Sequence, residues 1–195
     1  MVDVVLFHHI QGLTPGITAL AAELARDGHT VHTPDLYDGH VFDRMDDGFA
    51  YLRSLDRARL TAQVDAAVDA LPDRLVFAGM SWGVMQAQRL AQTRPHARGA
   101  VFFDACLPLT GEGTFGPWPA GLPVQIHGMD QDEFFALEGD LDAARDLVAA
   151  AGPDVAEVFT YSGDGHLFAD SSLPSYNPAA AGSAIGRVRD FLRRL

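Results

Sequence analysis

The chain has 195 residues, 48% hydrophobic and 21% charged, which suits one packed domain over residues 1–195 and excludes a disordered polymer. Its net charge of -12 rests on 26 acidic against 14 basic residues, and every basic one is an arginine. That excludes lysine Schiff-base and P-loop lysine chemistry, and it offers no basic surface to nucleic acid or to an anionic membrane.

Cys106 is the only cysteine, so neither an internal disulfide framework nor a cysteine-based zinc site is expected. No run of about 18 apolar residues is present to span a bilayer. The opening Met1-Val2-Asp3-Val4-Val5-Leu6-Phe7 lacks a basic segment and carries Asp3 inside its apolar run, so the cytoplasm is the expected compartment.

In chain order, Val4 to Phe7 reads as a buried strand. Thr14-Pro15-Gly16 starts a helix, with Thr14 as N-cap and Pro15 in the first turn, that runs to about Asp27 and stops at Gly28. Thr30 to Thr33 is a second strand, ended by Pro34, and Leu36 to Asp43 has no clear pattern. One long helical segment is expected from Arg44 to Ala70. Leu75 to Ala78 is a strand, Trp82 to Thr93 a helix and Ala100 to Phe103 a strand, followed by a Pro/Gly-rich loop from Pro108 to Pro123. Val124 to His127 is a strand, Glu133 to Ala151 a helix and Glu157 to Tyr161 the last strand. Asn177 and Pro178 begin a terminal helix that ends at Leu195.

Strand and helix alternate throughout, and the strands are apolar on both faces. The pattern predicts an α/β fold: a mostly parallel sheet with helices on both sides, and a site beyond the carboxyl ends of the strands.

Directly after the third strand stands Gly79-Met80-Ser81-Trp82-Gly83, which fits the G-x-S-x-G elbow. A serine on so sharp a strand-to-helix turn projects its Oγ above the sheet. The amide of Trp82, at the helix N-terminus, is placed to bind an oxyanion.

The serine needs a base further along the chain, where His96, His127 and His166 stand. His96 belongs to a helix–strand connection at the opposite end of the sheet. His166 follows the last strand in a glycine-rich loop, Ser162-Gly163-Asp164-Gly165-His166, and is the expected base. For the orienting acid, Asp130 and Asp132 compete, with Asp104 one strand earlier as a third option; spacing does not choose between them. A second oxyanion donor is expected from the backbone of His9, Ile10 or Gln11, after the first strand. His8 and His9 are adjacent and point to opposite faces, so no metal site is expected from them.

These residues resemble the dienelactone hydrolase family over nearly the whole chain. The landmarks are His9-Ile10-Gln11-Gly12-Leu13, Pro34-Asp35-Leu36-Tyr37, the elbow, Gln131-Asp132-Glu133-Phe134 and Gly165-His166. The resemblance implies a three-layer α/β-hydrolase fold without a large cap. It implies Ser81, Asp132 and His166 as the triad, the amides of Ile10 and Trp82 as the oxyanion hole, and small esters or lactones as substrates. It favours Asp132 over Asp130.

Three features depart from the family. The namesake has cysteine where this chain has Ser81, and glutamate where it has His9. The namesake's arginine shortly after Pro-Asp-Leu-Tyr is also missing, since Tyr37 is followed by Asp38-Gly39-His40. A neutral ester or lactone is therefore expected in place of a dienelactone carboxylate, without cofactor or metal, in a monomer or homodimer. His9, Tyr37, Trp118 and Phe168 are expected to line the pocket, with Trp82 and Phe115 as further aromatics. The alternatives are a non-catalytic binding protein of the same fold, and thioester hydrolysis or acyl transfer at the same serine.

Overall fold

The computed structural model describes residues 1–195. Six strands form one sheet: β1 (Asp3–Phe7), β2 (Thr30–His32), β3 (Leu75–Met80), β4 (Gly99–Phe103), β5 (Val124–Met129) and β6 (Ala156–Tyr161). Their order is β2-β1-β3-β4-β5-β6, and every neighbouring pair is parallel.

The four inner strands are almost wholly buried, as their apolar runs require. The two edges differ from the expectation of burial on both faces. β2 and β6 are only half-covered, because an edge strand has a neighbour on one side only.

α1 (Pro15–Ala25) and α6 (Pro178–Arg194) cover one face. Ile17, Leu20 and Leu24 from α1 and Val188 and Phe191 from α6 pack there around Val4, Leu6 and Phe103. Thr14 and Asn177 cap these helices through their side chains, each with proline in the first turn. On the other face lie α3 (Arg57–Asp69), α4 (Trp82–Thr93) and α5 (Asp140–Ala151), packed through Leu60, Val64, Leu90 and Leu147 onto Phe7, Phe77 and Phe102. Each fully buried phenylalanine contributes about 1.5–3 kcal/mol.

The segment read as one helix from 44 to 70 is two. α2 (Met45–Ser54) ends at Leu55, whose backbone is extended, and Asp56 restarts the chain by accepting from the Arg59 amide. The break is an N-cap signal inside a continuous apolar period. The segment 133–151 also divides. One wide π-type turn spans Glu133–Leu137, and α5 starts only after Gly139, at φ 109, a conformation that glycine adopts without strain.

The strand order places the site. β1 connects through α1 to β2 on one side, while β3 returns to the other side of β1. The loops after β1 and β3 therefore diverge at the carboxyl edge and leave a crevice between them. Further along the same edge, Met80 pairs with Phe103 and Phe103 with His127, so residues that leave β3, β4 and β5 emerge side by side.

Candidate functional site

Ser81 joins β3 to α4 at φ 50 and ψ -117. A side chain there is strained by about 1–3 kcal/mol, and such strain is a mark of sites where geometry is held for a purpose. The flanking glycines make the turn possible. A Cβ on Gly79 would lie 2.5 Å from the Gly83 carbonyl, and one on Gly83 would lie 2.4 Å from the Phe7 carbonyl oxygen. The Ser81 hydroxyl makes no capping bond to its own helix.

That hydroxyl meets His166 instead, with Oγ 2.8 Å from Nε2. On the far side of the ring, Nδ1 lies 2.7 Å from Oδ2 of Asp132, which is wholly buried. A ring nitrogen facing a carboxylate carries the hydrogen, so Nδ1 donates to Asp132 and Nε2 is left to accept from Ser81. The other oxygen of Asp132 accepts from the Phe134 amide at 2.9 Å, so the carboxylate cannot swing away. The wide turn at 133–137 presents that amide, and the Phe134 ring lies 4.7 Å from the imidazole.

Asp130 is placed elsewhere: its carboxylate accepts from the Gly163 amide at 3.0 Å and pins the loop that leads to His166. His127 is buried with Nδ1 2.9 Å from the Tyr161 hydroxyl, and His96 is exposed.

Burial favours a neutral His166. The hydrogen bond to Asp132 and the charges of Asp104, Asp132 and Asp140 oppose burial and prevail, so its pKa stands above the ordinary histidine value. Asp104 lies next to this pair. Burial lifts its carboxyl to about 8, with the charge of Asp132 adding to the effect and His166 opposing it. In the sequence Asp104 is one option among three acids, and nothing in its spacing marks it as buried beside the histidine.

The loop after β1 is shaped by its own bonds. The Gly12 amide donates to the His9 carbonyl, and the Gln11 amide donates to His9 Nδ1 at 3.2 Å. Gln11 and Phe42 exchange two further bonds of 2.9 Å. α2 closes against the loop at Gly48, where a Cβ would lie 2.2 Å from the Ile10 carbonyl oxygen. The Ile10 amide donates to no protein group among these bonds. The Trp82 amide, first in α4, has no acceptor within its own helix.

Four residues expected to line a pocket are buried instead. His9 points inward, with Nε2 2.8 Å from Asp170, which also accepts from Thr14. Tyr37 packs among His8, Tyr51 and Trp82 with its hydroxyl unpartnered. Trp118 lies edge-on to Phe102 and donates to the Leu122 carbonyl, and Phe168 packs on Phe103 and Tyr161. Aromatic residues in loops here cover the core, which their large apolar area favours. Phe115 is partly exposed in the loop before β5.

The open cleft beside His166, about 500 Å³, is bordered instead by Gln11, Asp43, Met45, Asp164 and Leu173. A second hollow of about 300 Å³ lies on the outer side of Trp82, lined by Leu52, Leu55, Leu60 and Met85. Neither Asp43 nor Met45 carried a signal in the sequence, because both belong to the stretch around the start of α2 that has no strong periodicity.

Asp104, Asp132 and His166 could converge on an ion, since their donor atoms lie within 4.8 Å of one another. Both ring nitrogens of His166 are already engaged, by Ser81 and by Asp132, so the arrangement is that of an acid–base set. It can pass a proton from a hydroxyl to an imidazole and stabilise the charge that forms. No helix is long and apolar enough to cross a membrane.

The chain is similar to known proteins over its whole length. A carboxymethylenebutenolidase from Rhodococcus opacus is 28% identical over 207 residues, covering 98% of this chain and 80% of that protein. A Klebsiella pneumoniae structure described as a candidate dienelactone hydrolase superposes with a TM-score of 0.76 at 21% identity, over 99% of this chain and 87% of its own. A dienelactone hydrolase-like promiscuous phosphotriesterase from metagenomic libraries gives the same TM-score and identity, over 100% and 87%. These two likenesses show the shared α/β-hydrolase fold. The model of the dienelactone hydrolase family matches residues 2–195, and the chain belongs to that family.

Proposed function

We propose that the protein hydrolyses small, uncharged carboxylic esters or lactones through an acyl-enzyme on Ser81. The observation that carries this reading is the unbroken run Ser81–His166–Asp132, with contacts of 2.8 and 2.7 Å, on a strained elbow. His166 Nε2 takes the hydroxyl proton as Oγ attacks the carbonyl carbon. Asp132 holds the ring in the accepting tautomer and stabilises the imidazolium. The amides of Ile10 and Trp82 receive the oxyanion, an interaction worth about 3–4 kcal/mol per donor in comparable sites. The imidazolium returns its proton to the leaving alkoxide. Water then repeats the sequence on the acyl-enzyme, giving the acid and free Ser81.

The preference for an uncharged substrate rests on the cleft. Asp43 and Asp164 border it, and apart from the proposed base His166 none of its lining residues is basic. An anionic group would meet like charge there, whereas a neutral ester loses nothing.

A fluorophosphonate probe followed by peptide mapping tests the reading. The label should fall on Ser81 and be absent from Ser81→Ala, which should also lose p-nitrophenyl acetate turnover while keeping its fold. An intact wild-type protein that takes up no label would instead be a binding protein on the same fold.

A further inference from the structure

We propose that Asp104 is a positioning residue of this site: a second acidic partner of His166, held beside Asp132 so that two carboxyl groups serve one imidazole. The sheet register brings it there. Phe103 pairs with both Met80 and His127, so Asp104 leaves β4 between the strand that carries Ser81 and the strand that leads to Asp132. The Ser81 amide donates to the Phe103 carbonyl, and the Asp104 amide donates to the His127 carbonyl.

Three further observations point the same way. Asp104 is 1% exposed, and no side chain bonds either of its carboxyl oxygens; the one polar group turned toward it besides His166 and Asp132 is the Leu167 backbone amide, outside good hydrogen-bond geometry. Its backbone stands at φ 59, in the left-handed region that few residues with a side chain adopt, aspartate among them. Its donor atoms lie within 4.8 Å of those of Asp132 and His166. A buried carboxyl with no side-chain partner is unfavourable for folding, and an apolar side chain would avoid the penalty.

The groups that face Asp104 are His166 and Asp132; His166 in turn also feels Asp140, at the start of α5. With Asp132 ionised, Asp104 keeps its proton, because burial and the neighbouring charge both disfavour a second anion. Taking the charge from Asp132 removes that repulsion. Asp104 then releases its proton to solvent at lower pH and offers the imidazole a carboxylate.

This inference rests on the proposed roles of Ser81, His166 and Asp132, so loss of turnover in Ser81→Ala is the control. If that control fails, the proposed function falls and the result says nothing of Asp104. Given the control, kcat, KM and pH profiles are compared for Asp132→Asn, Asp104→Asn and the double variant. Loss of a lone orienting acid costs about 10⁴ in kcat; here Asp132→Asn should lose only about 10–100-fold, with KM nearly unchanged. The double variant should fall at least about 30-fold further. The residual kcat/KM of Asp132→Asn should rise with pH along an ionisation that the double variant lacks. A loss of about 10⁴ in Asp132→Asn, with the double variant no worse, overturns the proposal. If Asp132→Asn does not fold, Asp104→Asn alone decides. The wild-type profile should carry an ionisation at about 8 that this variant loses, and superimposable profiles overturn the proposal.

Discussion

Replacing Ser81 by glycine and by alanine separates backbone strain from chemistry. Both variants lack the hydroxyl, so both lose the 2.8 Å contact with His166 equally. They differ in the Cβ. At φ 50 and ψ -117 a residue with a Cβ is strained by about 1–3 kcal/mol, and glycine is not. Against this, glycine has more conformational freedom to lose on folding, about 0.4–1 kcal/mol. The difference leaves Ser81→Gly more stable than Ser81→Ala by roughly 1 kcal/mol, the reverse of the usual order. For a chain of this size that is about 2–4 °C in Tm. Thermal melting and urea titration of the two variants, side by side, provide the assay. If Ser81→Ala proves equal to or more stable than Ser81→Gly, the elbow is not strained and the argument from backbone to site fails.

Gly83→Ala should destabilise by about 1–3 kcal/mol and abolish turnover, because its Cβ would press on the Phe7 and His8 carbonyls, which are backbone and cannot give way; urea unfolding measures the loss. The acidic limb of kcat/KM should lie above pH 6.5, since the proposed base must be neutral and the His166 pKa is raised; activity grows as pH rises through it. His8 and His127, pushed by burial to about 4 and about 3, stay neutral through that range and should leave the limb unaltered when replaced. Asp170 resists the effect of its own burial through bonds from His9, Ser172 and Thr14, and its carboxyl lies at about 2. Its stabilising effect is full above the ordinary carboxylate value and fades as pH falls toward 2, so the penalty of Asp170→Asn in chemical denaturation should shrink between pH 4 and pH 2.

Much of the candidate site was legible along the chain because its signals are local. The turn Gly79 to Gly83 is a contact between neighbours, and the apolar strand before it and the helix after it lie within a few residues. The buried strands were visible for the same reason: a residue covered on both faces must be apolar whatever its partners are. The caps Thr14 and Asn177 act within one turn of their own helices. Asp56 acts in the same way, but a helical period that continued across it concealed the break.

What required tertiary structure was orientation and convergence. Composition does not say which way an aromatic ring in a loop turns, and Tyr37, Trp118 and Phe168 turned inward because burial of their large apolar area outweighs exposure at a cleft. His9 and Asp170 meet although 161 residues separate them. Asp130 and Asp132 are two residues apart and equivalent in type, yet only the fold directs one to His166 and the other to Gly163. Asp104 reads in sequence as a polar residue at a strand end. The register of three adjacent parallel strands turns it into a buried carboxyl within reach of the same imidazole, a relation between segments that no local pattern encodes.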